Sequence, residues 1–141
     1  MLFVGAFERN LDDKGRLALP AQFRDDLGPL CYLAKGLDKC LNVVPAAVFE
    51  AEAADIAAKV RAGEITRNEA RALSISASRV SLDKQGRINI DEPLRQYADL
   101  GLSSAVMVSG AGTFDRLEIW SPDRFARVND EGTGRLAGDD E

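Results

Sequence analysis

The amino-acid sequence predicts an α+β protein built from two tandem copies of one small β-rich module. Three observations lead to this prediction: an internal repeat, a short alternating strand after each repeated loop, and an alanine-rich helical stretch between the copies. The repeat is clearest where residues 11–19 align with residues 82–90 without a gap, each segment containing Leu-Asp-x-x-Gly-Arg. Because internal self-similarity is the mark of duplicated structure, we infer copies near residues 1–50 and 72–128.

Further matches follow the repeated loop in the same order in both copies. An ordered series of this kind is harder to obtain by chance than one short motif, so it supports a duplication. The matched positions are Phe23-Arg24 with Leu94-Arg95, Leu27-Gly28 with Leu100-Gly101, and Gly36, Leu41, Val43 and Phe49 with Gly112, Leu117, Ile119 and Phe125.

Each copy contains the same succession of predicted elements. An apolar strand enters the Asp-x-x-Gly-Arg loop, whose glycine allows a positive φ and lets the chain reverse. A short alternating strand follows, then a short helix with a proline at or near its start, Pro20 or Pro93. The glycine of each matched Leu-Gly pair stands where such helices commonly end. Two more strands close each copy, at about residues 30–34 and 40–44 and at about 105–109 and 117–120.

The segment between the copies is predicted to be helical. Residues 45–62 are rich in alanine, which favours a helix, and Gly63 breaks the pattern. Thr66 and Glu69 have the spacing of a capping box and predict a second helix that reaches about Ser76. One side of the first helix would be apolar and would consist of Val48, Phe49, Ile56 and Val60.

The C-terminal part predicts a third, shorter helix followed by a tail. Ser121 can cap this helix, and Pro122 suits its first position. Residues 129–141 contain five acidic side chains and one base, Arg135, and are rich in glycine, so we expect a disordered acidic tail. The predicted division is a first module at 1–50, a helical connection at 51–71, a second module at 72–128 and the tail at 129–141.

The charge distribution decides what the folded part could bind. The chain has a net charge of −5, of which residues 129–141 contribute −4, so the other 128 residues carry only −1. A nearly neutral body binds through local patches rather than through its overall field. With no histidine and only Cys31 and Cys40, the sequence disfavours a zinc site or a disulfide framework, and we expect two small core cysteines in a reducing cytoplasm.

The repeated Asp-x-x-Gly-Arg loops are the best candidates for a functional site. Arg16 and Arg87 each offer a planar fork of donors that matches a phosphate or the O6/N7 edge of guanine. Lys14 and Lys84 add positive charge suited to phosphates. The aspartates, Asp12 and Asp83, could orient the arginine or accept N–H bonds from the loop, and the pattern leaves both roles open. The simpler interpretation is a solvated hairpin with a surface ion pair of roughly 0–1 kcal/mol.

The wider pattern resembles that of a known family. Leu11-Asp12-x-Lys14-Gly15-Arg16-x-x-x-Pro20-x-x-Phe23-Arg24 is similar to the first motif of the MraZ family, which is related to the AbrB/SpoVT-like swapped-hairpin DNA-binding proteins. Leu82-Asp83-Lys84-Gln85-Gly86-Arg87-Ile88 and the following Leu94-Arg95-x-Tyr97-Ala98-x-Leu100 resemble its second motif. The resemblance covers about residues 1–128 and implies two such modules in a pseudo-two-fold, barrel-like core with connecting helices.

The resemblance also implies a function. It implies a cytoplasmic, nucleoid-associated regulator or repressor of the bacterial division and cell-wall gene cluster, including its own gene. It would bind tandem G-rich direct repeats in double-stranded DNA as a ring of identical subunits. Arg9 or Arg24 would add phosphate contacts, while Asp91 in the place of Pro20 disfavours DNA contact by the second loop. The implied DNA-binding residues are Asp12, Lys14, Gly15, Arg16, Asp83, Lys84, Gly86 and Arg87.

The sequence offers less support for two other classes of function. An enzyme is disfavoured because the carboxylate doublets, such as Asp25-Asp26, are typical of solvated charges and Gly110-Ala111-Gly112 lacks the third glycine of a dinucleotide fingerprint. We therefore expect no catalytic residue, metal or cofactor. The alternative is an antitoxin-like protein-interaction module with the same fold, in which the acidic tail or the alanine-rich helices hold a partner. A co-purifying small basic protein would favour that alternative.

Overall fold

The computed structural model describes residues 1–139, which form eight strands and five helices. A 3-10 turn at Leu37–Lys39 links the third and fourth strands. None of the helices in this range has the length and hydrophobicity that a membrane span requires. The strands are β1 (Ala6–Leu11), β2 (Arg16–Ala18), β3 (Leu30–Lys35), β4 (Leu41–Pro45), β5 (Ser78–Ser81), β6 (Arg87–Asn89), β7 (Ser104–Gly110) and β8 (Leu117–Trp120). The helices are α1 (Ala21–Leu27), α2 (Ala46–Arg61), α3 (Arg67–Ser76), α4 (Glu92–Ala98) and α5 (Pro122–Ala137).

The strands form one antiparallel sheet in the order β5-β3-β4-β8-β7-β1-β2-β6. The two ends of this order, β5 and β6, lie beside each other, so the sheet curls into a nearly closed barrel. A closed sheet buries the apolar side of every strand and leaves few unpaired edges. The predicted α+β fold with a barrel-like core is confirmed.

The strand register relates the two copies by a pseudo-two-fold axis. β2 pairs with β6 so that Leu17 faces Ile88, and β4 pairs with β8 so that Asn42 faces Glu118. Both pairs join equivalent strands of the two copies, so the axis passes through their midpoints. In the strand order these two pairs lie on opposite sides of the barrel.

The first strand of each copy leaves its own copy and pairs with the third strand of the other. β1 pairs with β7 over its whole length, from Ala6 opposite Ser109 to Leu11 opposite Ser104. β5 pairs with β3 in the same way. The two copies therefore complete one another's sheet and share one core.

The core is built from equivalent residues of both copies. Leu17 and Leu19 of the first copy and Ile88 and Ile90 of the second are at most 1% exposed. Cys31 and Cys40 are buried and unpaired, which confirms the prediction that they are small core residues. Burial raises the pKa of Cys31 to about 11, so its thiol is neutral near pH 7.

The helices between the copies form as the sequence predicts. α2 lies against the sheet, with the Phe49 ring stacked on Tyr32 at a centroid distance of 4.2 Å. Thr66 caps α3, because its Oγ1 accepts a hydrogen bond from the backbone N–H of Glu69 at 3.1 Å. Both helices therefore have a tertiary contact or a cap that explains where they lie.

The C-terminal helix is longer than predicted. α5 begins after the Ser121 cap and continues to Ala137, so residues 129–137, predicted as disordered tail, are helical. The tail prediction rested on acidic and glycine-rich composition. The first turn of the helix is capped and held by Phe125 against Trp120, which favours continuation of the helix. A Glu131–Arg135 ion pair at i,i+4 spacing favours it further. Residues 140 and 141 of the predicted tail lie outside the described residues.

Candidate nucleic-acid interface

The first Asp-x-x-Gly-Arg loop connects β1 to β2 and is organised by Asp12. Its Oδ1 accepts hydrogen bonds from the backbone N–H groups of Lys14 at 2.9 Å and Arg16 at 2.8 Å. Its Oδ2 accepts a third bond from Arg16 Nε at 2.7 Å. The aspartate thus performs both roles that the sequence left open: it closes the turn and orients the arginine.

The second loop, between β5 and β6, repeats this arrangement. Asp83 Oδ1 accepts from the N–H groups of Gln85 and Arg87, both at 2.9 Å, and Oδ2 accepts from Arg87 Nε at 2.8 Å. The structure therefore gives both loops the same three-bond geometry, as the sequence repeat predicts.

Each arginine keeps its outer edge available. Nε is occupied by the aspartate, but within residues 1–139 no group accepts a hydrogen bond from the Nη atoms of Arg16 or Arg87. The two side chains are 36% and 27% exposed. A guanidinium fixed at Nε and open at Nη can donate two parallel bonds to a phosphate or to guanine without first losing much side-chain freedom.

The glycines connect each loop to the other copy. Gly15 and Gly86 have φ values of 82° and 72°, which L side chains rarely adopt. The Gly15 carbonyl accepts from Ile90 N at 2.8 Å, and the Gly86 carbonyl accepts from Leu19 N at 3.0 Å. Each loop is thus held at the end of the other copy's short strand.

Two arginines outside the Asp-x-x-Gly-Arg loops, Arg24 and Arg95, pack against the loop glycines. Arg24 of α1 covers Gly86, and Arg95 of α4 covers Gly15, so closely that a Cβ at either glycine would collide with the guanidinium. Arg24 Nε also donates to the Leu19 carbonyl at 2.8 Å. Arg24, predicted as a phosphate contact, therefore lies against the second loop, and its contact with phosphate stays a prediction. The sequence did contain a signal that these two arginines act alike, because Arg24 and Arg95 occupy the same position in the two copies of the repeat.

The two loops lie at opposite ends of the β2–β6 pair. From Gly15 to Leu19, which bonds Gly86, the chain advances four residues, or about 13 Å at ~3.3 Å per residue. Lys14 and Lys84 are exposed in the two loops. One side of the barrel therefore presents two arginines and two lysines at a spacing fixed by the sheet.

The local charges do not favour the first loop over the second. Asp12, Asp13, Lys14 and Arg16 sum to zero, whereas Asp83, Lys84 and Arg87 sum to +1. Asp91, whose charge disfavoured the second loop, caps α4. Its Oδ1 accepts from Leu94 N at 3.1 Å, and its Oδ2 accepts from Ser78 Oγ at 2.9 Å. That carboxylate is directed at groups within the fold.

The hydrogen bonds of the loops shift the pKa of their aspartates. The backbone N–H of Arg16, followed by the Arg16 side chain and the Lys14 N–H, lowers the pKa of Asp12 to about 2. The same contacts from Arg87 and Gln85 lower the pKa of Asp83. Both carboxylates stay ionised, and keep their arginines in place, throughout the neutral range.

This shift predicts a pH-dependent contribution of Asp12 to stability. Because the folded-state pKa is about 2 and the ordinary value is 3.8, the stabilisation is complete above the ordinary pKa and is lost as the pH falls through about 2. The difference in free energy of unfolding between wild type and Asp12→Asn should be constant above about pH 5 and should shrink toward pH 2. Chemical denaturation at several pH values measures it. Asp13→Asn is the control, since Asp13 takes no part in the bonds of the turn, and equal pH profiles for both variants would contradict the prediction.

No metal site was found within residues 1–139, where histidine, cysteine and carboxylate side chains do not gather in groups that could hold an ion. The pair Arg116–Asp115 also contacts Glu52 of α2 and ties that helix to β8. This cluster is paired internally, whereas the guanidinium edges of Arg16 and Arg87 in the two loops remain open to a ligand.

Comparison with known proteins finds the same repeat. One family model, described as "MraZ protein, putative antitoxin-like", matches the chain twice in succession, over residues 2–71 and 73–134. The two matched segments correspond to the two structural copies.

Relatives match over nearly the full length. A protein named transcriptional regulator MraZ from Roseiflexus castenholzii is 41% identical over 127 residues, covering 90% of this chain and 86% of its own. One of the same name from a Nocardioides species is 41% identical over 141 residues, covering 100% of this chain and 95% of its own. Another from Finegoldia magna is 34% identical over 134 residues, covering 92% and 88%.

Proposed function

Because this chain belongs to the MraZ family, we propose that it is a DNA-binding transcriptional regulator whose two Asp-x-x-Gly-Arg loops contact double-stranded DNA. The observation that carries the proposal is the repeated arginine geometry. Arg16 and Arg87 are each fixed at Nε by an aspartate and open at Nη, and they lie on one side of the barrel. Arg87 pairs with Ala18, two residues along β2 from Arg16, so the two arginines are about 7 Å apart along the strands.

In the proposed mechanism the arginines read bases and the lysines contact the backbone. Arg16 donates two bonds from its Nη edge to guanine O6 and N7, while Lys14 contacts a phosphate. Arg87 and Lys84 act in the same way at the second loop. Asp12, Asp83, Gly15 and Gly86 act by fixing the loops, and a good arginine–guanine pair gives about 1–3 kcal/mol of discrimination.

Several copies are needed for useful affinity, because one nearly neutral chain has little general attraction for DNA. A ring of identical subunits would present the loops repeatedly, and each tandem direct repeat would engage one subunit. Occupation of such repeats upstream of its own gene and of the division and cell-wall genes would exclude the polymerase and repress transcription. This role places the protein in the cytoplasm, at the nucleoid, and requires neither catalysis nor a cofactor.

Fluorescence anisotropy with the DNA upstream of this protein's own gene tests the proposal. Wild type should bind that fragment more tightly than a scrambled fragment, and the binding should weaken steeply as salt increases. Arg16→Ala should weaken specific binding by at least about 10-fold, since one bidentate contact is lost in every subunit. Arg127→Ala is the matched control, because it removes an exposed arginine from α5, outside both loops.

Equal binding of wild type to the two fragments would overturn the DNA-regulator proposal. A stoichiometric complex with a small basic protein, together with that result, would favour the antitoxin-like alternative.

A further inference from the structure

The outer face of the β2–β6 pair carries side chains that lie outside the two loops. Leu17 of β2 and Ile88 of β6 are 0% and 1% exposed, because they point into the core. Side chains alternate along a strand, so the residues on either side of them point outward. The outward residues are Arg16 and Ala18 on β2 and Arg87 and Asn89 on β6. A two-stranded antiparallel ribbon of this kind fits the major groove of B-DNA.

Asn89 stands directly across the ribbon from Arg16. The strand register places Asn89 opposite Arg16, and Arg87 opposite Ala18. Opposite residues of an antiparallel pair have Cβ atoms about 4.5–5.5 Å apart, so a base that contacts the Arg16 guanidinium lies close to the Asn89 amide. Asn89 is exposed, and within residues 1–139 no group forms a hydrogen bond with its side chain. Both its donor and its acceptor are therefore open to a ligand.

The internal repeat gives Asn89 a different residue as its counterpart. The alignment that matches Arg16 with Arg87 also matches Ala18 with Asn89. The pseudo-two-fold axis of the β2–β6 pair thus relates two identical arginines, but it relates an alanine to an asparagine. This difference makes the outer face of the ribbon asymmetric beside its two equivalent arginines.

The asymmetry changes which bases each half of the ribbon can recognise. An asparagine amide matches adenine, since its NH₂ group donates to N7 and its oxygen accepts from the N6 amino group. Alanine forms no side-chain hydrogen bond and offers only an apolar contact, such as one with the methyl group of thymine. Lys14 and Lys84 do not supply this distinction, because contacts with phosphates carry no direct sequence information.

We propose that Asn89 recognises an adenine beside the guanine contacted by Arg16, and that Ala18 in the equivalent place gives the ribbon a single direction on DNA. A symmetric reading surface matches a palindromic site. Direct repeats all point the same way, so their recognition requires a surface whose two halves differ. The inference rests on the proposed function and deepens it, because it adds a second residue that contacts bases.

A scan of single base-pair substitutions in the upstream fragment, measured by fluorescence anisotropy, tests the role of Asn89. Wild type should show one position in each repeat where A·T binds at least about 5-fold more tightly than the other base pairs. Asn89→Ala should lose this preference and keep the preference for guanine at the Arg16 position. Asn129→Ala is the matched control, because it removes an exposed asparagine from α5, and it should repeat the wild-type scan. An Asn89→Ala variant that keeps every base preference of wild type would overturn the proposal.

A modified adenine adds a readout that misfolding cannot mimic. 7-Deaza-adenine keeps the Watson–Crick pair and lacks only the N7 acceptor. Placed at the preferred position, it should weaken the binding of wild type and leave that of Asn89→Ala unchanged, because the bond that it removes is already absent there.

Asn10 is the matched comparison on the same side of the barrel. It is an exposed asparagine of β1, the strand on the other side of β2 from β6. Asn10→Ala should remain as sensitive to 7-deaza-adenine as wild type. Loss of this sensitivity in Asn10→Ala, with its retention in Asn89→Ala, would contradict the assignment to Asn89.

The same titrations separate this inference from the proposed function. A wild type that prefers the upstream fragment to scrambled DNA, with a base preference that Asn89→Ala does not change, would refute the inference and leave the regulator proposal standing. Equal binding of wild type to both fragments would refute the regulator proposal itself.

Discussion

Replacement of both Arg16 and Arg87 by alanine should reduce the affinity for tandem-repeat DNA by about 100-fold or more, well beyond either single substitution. The reason is that both arginines have the same geometry: Nε held by an aspartate and an open Nη edge. Each is expected to contribute about 1–3 kcal/mol. Arg16 and Arg87 are held by different aspartates and share no side-chain partner, so their effects on free energy are expected to add.

Anisotropy titrations of the two single variants and the double variant, at one salt concentration, measure this effect. Arg16→Lys and Arg87→Lys separate charge from shape, since lysine keeps the positive charge and lacks the planar fork. These variants should keep most of the binding to scrambled DNA while losing preference for the repeats. An Arg87→Ala variant that binds as wild type does would contradict a role for the second loop and restrict DNA contact to the first.

Gly110→Ala should destabilise the protein by roughly 3 kcal/mol or more, the largest effect we expect from adding one methyl group. A Cβ at Gly110 would overlap the backbone of Phe3, and that backbone cannot move freely. The Phe3 side chain is fully buried with its ring 5.8 Å from Phe23, and its N–H donates to the Phe114 carbonyl at 3.0 Å. Relief of the overlap would therefore pull an aromatic ring out of the core.

Thermal and urea unfolding of the variant measure the loss of stability. Gly112→Ala is a matched control two residues away, because a Cβ there meets no atom within 4 Å, and it should change stability by no more than about 0.5 kcal/mol. Similar losses for the two variants would indicate a general cost of removing glycine from this connection, and would contradict the specific overlap with Phe3.

Most of the local structure could be predicted from the sequence because it depends on local rules. Residues close together in the chain specify the alternating strands, the glycine turns and the Thr66 cap, and the structure contains all three. The repeat itself is confirmed by the pseudo-two-fold register and by the two successive family matches. The role of Asp12 could be narrowed to two functions, and the geometry contains both.

The C-terminal helix shows where composition misleads. The acidic, glycine-rich stretch after residue 128 has the composition of a tail, yet it continues a helix whose first turns are capped by Ser121 and held by Phe125 against Trp120. A helix extends cooperatively from a stable first turn, so residues 129–137 are helical because of the cap and the Phe125–Trp120 contact that precede them in the chain.

The sequence by itself determined the two modules, their order of elements and the pair of Asp-x-x-Gly-Arg loops, because each is specified by neighbours in the chain. Only the tertiary structure decided which strands pair, since β1 joins β7 across about two thirds of the chain and β5 joins β3 across about one third. The same exchange places Arg24 over Gly86 and Arg95 over Gly15; the repeat aligns the two arginines, but the glycine that each covers lies in the other copy. The physical reason is that strand pairing is selected by the burial of two apolar faces in one shared core. That burial joins strands roughly 50 to 100 positions apart, and no short window of sequence contains both partners.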